Sequence, residues 1–188
     1  MLDYGQCYLS IQDRLLYVPM HKNMTASMRS VMTEKQWQLT NFIKNPVFDD
    51  LMERLTVFVI LRDPWERWNS AMCQYWYGHD LEEITKEALM DVRLDHHSDR
   101  QVDYVRGFDP SENFLRFEMG DPALAELLDL DVLPKRNMAK YRDQKVFIQR
   151  RIDEIMDDEL KQRVIDYYAD DYRFITHGVL PALNSESK

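Results

Sequence analysis

Residues 56–61 read TVFVIL, and Val57 to Leu61 is the longest unbroken apolar run in the chain. A strand that is apolar on both faces must be covered on both, as strands in a parallel sheet are. Asp63-Pro64 follows at once, an N-cap residue and a first-turn proline, so the strand feeds a helix. Trp65, Trp68, Met72 and Tyr75 continue at three- and four-residue spacing through Tyr75, and such a stripe is a core face rather than a stacking platform. A similar unit lies upstream: Leu15 to Met20 reads as a strand and Ala26 to about Leu39 as a helix. Downstream, Leu81 to Val92 reads as an acidic helix and Asn113 to Phe117 as a short strand. Ala123 to Leu128 reads as a short helix and Glu159 to Ala169 as the last clear one. Alternating strands and helices predict an α/β fold with a mainly parallel central sheet flanked by helices.

A chain of 188 residues suits one domain, with a core over about 15–175 and a polar tail over about 181–188. Hydrophobic residues make up 45% and charged residues 30%, the balance of a globular protein rather than a disordered one. The formal net charge of −9 excludes a nucleic-acid role resting on a broad basic surface, so an anionic ligand requires a local positive pocket. Cys7 and Cys73 match no metal or redox spacing and read as reduced thiols. The N-terminus has no basic region followed by an apolar stretch, and no apolar run approaches bilayer length. The expectation is a soluble, cytoplasmic protein without membrane association.

The most suggestive stretch is VPMHKNMTASMR, residues 18–29. Strand, turn, helix is the arrangement in which backbone N–H groups and a helix N-terminus hold an anion. Lys22 adds positive charge at the loop entrance and Ser27 a hydroxyl at the helix start. A nucleoside-triphosphate loop places its lysine at the far end, as GxxxxGK[ST]; here the lysine comes first. Alone, the stretch is an ordinary turn with a capped helix. The second segment, LRDPWERWNSA, puts Arg62 at the end of the second strand and Ser70 two turns into the helix. Ligands of open α/β sheets gather at these carboxyl ends, so the two basic sites suit the two phosphate-bearing ends of one nucleotide. Arg67, four residues after Asp63, reads as a local surface ion pair worth a few tenths of a kcal/mol.

Together these motifs carry a resemblance. VPMHKNMTASMR resembles the 5′-phosphosulfate loop of sulfotransferases, and VILRDPWERWNSA resembles their 3′-phosphate motif. DHHSDRQ (95–101) is similar to the Asp-x-His-x-x-x-Gln pattern of the Golgi-type carbohydrate sulfotransferases, and FLRFEM (114–119) to their Arg-Phe-Glu segment. YYADDYRF is a weaker likeness to their final helix. The resemblance spans roughly Leu15 to Phe174. It implies a P-loop-like nucleotide-binding sulfotransferase fold with 3′-phosphoadenosine 5′-phosphosulfate as sulfuryl donor and 3′,5′-bisphosphoadenosine as product. Lys22 would bind the phosphosulfate and stabilise the leaving oxygen. Backbone N–H groups of Asn23, Met24, Thr25, Ala26 and Ser27 would cradle the 5′ end, and Arg62 and Ser70 would hold the 3′-phosphate. No metal is required. The sequence departs from the family at Asn23, Met24 and Ala26, where small or hydroxyl residues including glycine are usual. It is also short and shows no preceding membrane anchor, which points to a bacterial or viral protein rather than a Golgi enzyme.

The acceptor hydroxyl needs a base. His97 is the first candidate, since imidazole titrates near pH ~6.5, with Asp95 placed to orient it. His96, His21 and Glu34 compete, and Glu118 reads as structural. A basic cluster of Lys135, Arg136, Lys140, Arg142 and Lys145 either completes the 3′-phosphate site, attracts an anionic acceptor or is a solvated face. A metal hydrolase built on Asp95, His96 and His97 is disfavoured because adjacent histidines diverge on regular secondary structure. A P-loop kinase is disfavoured by the missing GK[ST]. The serious rival is a sulfotransferase-like domain that binds the nucleotide, or a partner, without transfer. By resemblance the acceptor is a carbohydrate hydroxyl, and the acidic composition favours a neutral glycan or small alcohol.

Overall fold

The computed structural model describes residues 5–42, 51–106, 108, 113–134 and 142–180. Five strands form one sheet: β1 (Gln6–Ser10), β2 (Leu15–Tyr17), β3 (Gln38–Asn41), β4 (Thr56–Leu61) and β5 (Phe114–Glu118), in the order β3-β1-β2-β4-β5. β4 runs parallel to β2 and to β5, whereas β1 is antiparallel to β2 and β3. The fold is therefore α/β with a mixed sheet flanked by helices, which corrects the expectation of a mainly parallel one. The cause is local: a four-residue connection joins β1 to β2, and so short a link can only join antiparallel neighbours. β3 falls where the sequence suggests the end of the first helix. That helix, α1 (Thr25–Glu34), stops early at Lys35, and Gln36 adopts a left-handed φ of 59°. The usual glycine signal for such a stop is missing.

β4 matches TVFVIL residue for residue, and its two faces are both covered. Val57, Val59 and Leu61 join a core with Leu16, Val18, Val102 and Phe174; Phe58 and Ile60 join another with Tyr17, Met28, Met32 and Leu124. The helix after it, α2 (Pro64–Tyr75), begins where Asp63-Pro64 predicts, with the Asp63 carboxylate accepting from the Glu66 N–H. Trp68 and Met72 are buried in a third cluster with Ile148, Ile152 and Val164, flanked by Trp65 and Tyr75, as the stripe requires. The acidic stretch 81–92 is broken into a 3-10 turn (Leu81–Glu83) and a short helix α3 (Lys86–Met90), because Thr85 starts a new helix by capping the Ala88 N–H. After α4 (Gln101–Tyr104) and α5 (Pro122–Leu127) come α6 (Arg142–Ile155), α7 (Asp158–Tyr167) and α8 (Ala169–His177). β1, α4, α6 and α8 are additions to the sequence reading. No helix among the described residues is long and apolar enough to cross a membrane.

Arg67 departs furthest from expectation. It is not a surface partner of Asp63 but fully buried. Its Nε donates to the His21 carbonyl at 3.0 Å and its Nη1 to the Asp99 carbonyl; Nη2 has no hydrogen-bond partner among the described residues. The surface ion pair of this helix is Arg62–Glu66, at 3.4 Å. Arg67→Ala is therefore expected to cost about 3–5 kcal/mol in urea unfolding, against the few tenths that a surface pair would lose.

Candidate functional site

β2 and β4 are parallel, so their carboxyl ends open at the same edge of the sheet. Residues 18–24 leave the first and Arg62 leaves the second. Gln101, at the start of α4, bolts the two together. Its carboxamide pairs with Arg62 in both directions: Oε1 accepts from the Arg62 N–H at 3.0 Å and Nε2 donates to the Arg62 carbonyl at 2.9 Å. The same Oε1 accepts from Asn23 Nδ2 at 2.6 Å, and Asn23 Nδ2 also reaches the Ile60 carbonyl at 2.7 Å. Asn23 is thus turned inward and buried, and its N–H donates to the Met20 carbonyl. The Asn23 N–H, expected to serve a ligand, thus has an acceptor within the fold. Thr25 Oγ1 likewise donates to the Met20 carbonyl at 2.5 Å. Met24 and Thr25 are half-buried, Ala26 is exposed and Ser27 buried, at the N-terminus of α1. Lys22 and Met24 both hold left-handed φ values, 69° and 57°. Non-glycine residues in this region cost about 1–2 kcal/mol each, and such strain gathers at functional turns.

The segment 95–101 is fastened from beneath. Tyr104 Oη donates to the His96 carbonyl, Tyr168 Oη to that of Ser98 and Arg67 to that of Asp99. The buried Asp171 carboxylate accepts from the Gln101 and Val102 N–H groups at 2.8 and 3.0 Å. Burial pushes its carboxyl up to about 6, while Arg67 and the two amides pull it down. YYADDYRF therefore contributes a cap for α4.

On this base stands a polar chain. Lys22 Nζ donates to Gln74 Oε1 at 2.7 Å, and Gln74 Nε2 lies 3.0 Å from His97 Nε2. His97 Nδ1 lies 2.9 Å from Asp95 Oδ2, and Asp95 Oδ1 accepts from the His97 N–H at 2.8 Å. The proton inventory follows from Lys22, which can only donate. It fixes Oε1 of Gln74 toward itself, so the Gln74 amide N–H must donate to His97 Nε2. His97 Nε2 then carries a lone pair and Nδ1 carries the proton, donated to Asp95. This is the tautomer that a general base needs.

The electrostatics favour an anion. Lys22 is lowered to about 8, first by burial and then by Lys145 and Arg62. Arg62 Nη1 reaches the Lys22 carbonyl at 3.5 Å. Three cations therefore converge in a protein of net charge −9. Burial pushes the Asp95 carboxyl up, but its hydrogen bonds from His97 outweigh this and hold it below the ordinary carboxylate range.

Ser70 is half-buried on α2, one turn before Gln74 and one after Glu66, so these three share one face, and Arg62 reaches it through its ion pair with Glu66. Glu34 is exposed at the far end of α1, roughly 14 Å along the helix from the loop, which removes it as a base. Glu118 is exposed and registered beside Leu61. Of the basic cluster, Lys145 approaches Lys22; Lys135, Arg136, Lys140 and the Arg142 side chain lie outside the described residues, as does the tail 181–188. Adjacent histidines do not diverge here: 95–99 is a turn, and the His96 and His97 ring centroids are 4.1 Å apart. His21 packs edge-on against both, at 4.7 and 4.8 Å.

Gln74 was invisible to motif reading, although its spacing of four from Ser70 places it on the same helix face. Comparison with protein-family models, with curated proteins and with solved structures finds no match for this chain.

Nitrogen-detected NMR of the imidazoles provides a direct check. At a pH where His97 is neutral, Nδ1 is expected to be protonated and Nε2 bare, and Asp95→Ala to return the ring to a tautomer mixture. A wild-type ring protonated at Nε2 would contradict the hydrogen-bond order above.

Proposed function

We propose that this chain is a sulfotransferase with a P-loop-like sulfotransferase fold, moving a sulfuryl group from 3′-phosphoadenosine 5′-phosphosulfate to an acceptor hydroxyl, on a neutral glycan or small alcohol. One observation carries the reading. The lysine of the strand–turn–helix loop and the Asp95–His97 pair, 75 residues apart in sequence, share the single amide of Gln74. A charge-stabilising cation and an oriented base therefore sit side by side at the carboxyl ends of β2 and β4.

The residues present fit such an anion. Lys22 offers an ammonium whose release from Gln74 leaves it short of a partner, and Arg62 and Lys145 add positive charge. N–H groups in the first turn of a helix have no acceptor within the helix, and at α1 they face the same edge as Lys22. The donor supplies an activated sulfuryl group and a leaving group that departs as an anion. Sulfuryl transfer resembles phosphoryl transfer in its in-line, loose transition state, so positioning and charge stabilisation supply most of the acceleration. Lys22 neutralises charge developing on the leaving oxygen. Arg62 and Ser70 hold the 3′-phosphate. His97 Nε2 takes the acceptor's proton, and Asp95 stabilises the imidazolium that forms.

A binding module without transfer is the second reading, favoured by one feature: the Asn23 N–H and the Thr25 hydroxyl are committed within the fold. Two measurements separate the readings. Calorimetry with 3′,5′-bisphosphoadenosine is expected to give binding weakened at least tenfold by Lys22→Ala and by Arg62→Ala, about 1.4 kcal/mol each. Turnover on a hydroxyl-acceptor panel is expected to fall about 10²–10⁴-fold with His97→Ala. Binding without turnover selects the module, and no binding at millimolar nucleotide removes both.

The pH dependence has a fixed sign. Below about 8 Lys22 is charged in the free protein, so affinity is level with respect to this group. An anion raises the lysine's pKa, so above about 8 binding must first recharge the amine. Affinity then drops by up to about tenfold per pH unit, with proton uptake. Calorimetry in buffers of different ionisation enthalpy reads that uptake, and Lys22→Ala is expected to abolish it.

A further inference from the structure

The chain contains five histidines, and three of them meet at one place. His21, His96 and His97 each present one ring nitrogen, and these three atoms lie within 4.8 Å of one another. We propose that they form a site for a divalent transition-metal ion of the zinc class, with three imidazole ligands and a fourth position open to solvent. This goes beyond the sulfuryl-transfer reading and does not rest on it.

The ligand chemistry selects the ion. Three neutral imidazoles suit zinc, cobalt, nickel or copper, not the oxygen-seeking magnesium or calcium. Zinc–nitrogen bonds of about 2.0–2.1 Å in a tetrahedron place the nitrogens about 3.4 Å apart. The present separations, all within 4.8 Å, have to close to that value when the ion binds. His97 is already prepared: its Nδ1 proton is held by Asp95 at 2.9 Å, so Nε2 is the lone-pair donor. A carboxylate behind a metal-bound histidine fixes the tautomer and raises ligand basicity, and such partners contribute 10–100-fold to affinity.

The scaffold holds these ligands in place. Arg67 ties the His21 carbonyl to that of Asp99, which joins the two histidine-bearing segments, and Tyr104 holds the His96 carbonyl. All three imidazoles are half-buried, His21 Nε2 itself being covered. Lys22 and Arg67 stand nearby as cations; Asp95 lies against His97, and the Asp99 carboxylate is paired with Arg93. To bind the ion, His97 must release the Gln74 amide. The metal and a hydroxyl acceptor therefore compete for one lone pair, and an occupied site silences the base.

The test uses the full chain, stripped with chelator and titrated with zinc chloride alone, without nucleotide. Calorimetry and metal analysis after dialysis are expected to give a single equivalent at micromolar affinity or tighter. His96→Gln is expected to weaken uptake about 100-fold or more and Asp95→Asn about 10–100-fold, while His79→Gln, outside the cluster, leaves it unchanged. A readout without substitution guards against a misfolded variant: on adding zinc, the ring resonances of His21, His96 and His97 shift while those of His79 and His177 stay. Absence of uptake at millimolar zinc overturns the proposal, as does uptake that His96→Gln leaves intact or ring shifts at His79 or His177 instead. Nucleotide binding is measured separately, so failure here does not count against the sulfotransferase reading, nor the reverse.

Discussion

A buried guanidinium organises this molecule. Arg67 lies wholly inside the protein and donates to the carbonyls of His21 and Asp99. A charge so placed is costly unless its donors are satisfied and a counter-charge is near. The Asp171 carboxylate supplies that counter-charge, and it also caps α4 through Gln101 and Val102. Two loops distant in sequence are thereby joined through their backbones, which leaves the side chains of Asp95, His96 and His97 to meet Lys22 and His21 above. Tyr104 and Tyr168 repeat the device, each donating to a carbonyl of the same segment.

The second constraint is the sheet. Because β2 and β4 are parallel neighbours, both chains leave the sheet at one edge. Gln101 closes that edge by acting as a short piece of strand, exchanging hydrogen bonds with the backbone N–H and carbonyl of Arg62 while accepting from Asn23. The antiparallel additions, β1 and β3, enlarge the sheet on the far side of β2 and leave this edge untouched. A mixed sheet therefore serves the site as well as a parallel one.

The site's character comes from crowding like charges in an acidic protein. Lys22 is held close to Arg62 and Lys145 and is partly desolvated, so its ammonium is destabilised even with Gln74 as acceptor. Gln74 mediates between this cation and His97, and its fixed amide orientation passes information from lysine to imidazole: the lysine's need for an acceptor determines which histidine nitrogen is bare. One arrangement of hydrogen bonds thus positions both a cation and a lone pair.

Strand β4, the Asp63-Pro64 helix start and the buried tryptophan stripe were legible because each is a short-range pattern whose period or cap chemistry is local. Lys22, Arg62 and the Asp95–His97 pairing could be named as candidates for the same reason. What only the tertiary structure decided is which polar groups lose water. Arg67 and Asn23 look like surface residues in sequence, yet they are buried because segments far along the chain bring carbonyls to them. β3 and the end of α1 carry no local signal because a left-handed glutamine, not a glycine, makes the break. The convergence of three histidines depended on a turn at 95–99 that frees adjacent side chains from the opposition that regular structure imposes. Local sequence determines what each segment can form; the burial of polar groups depends on distant partners, and the site is built from those partners.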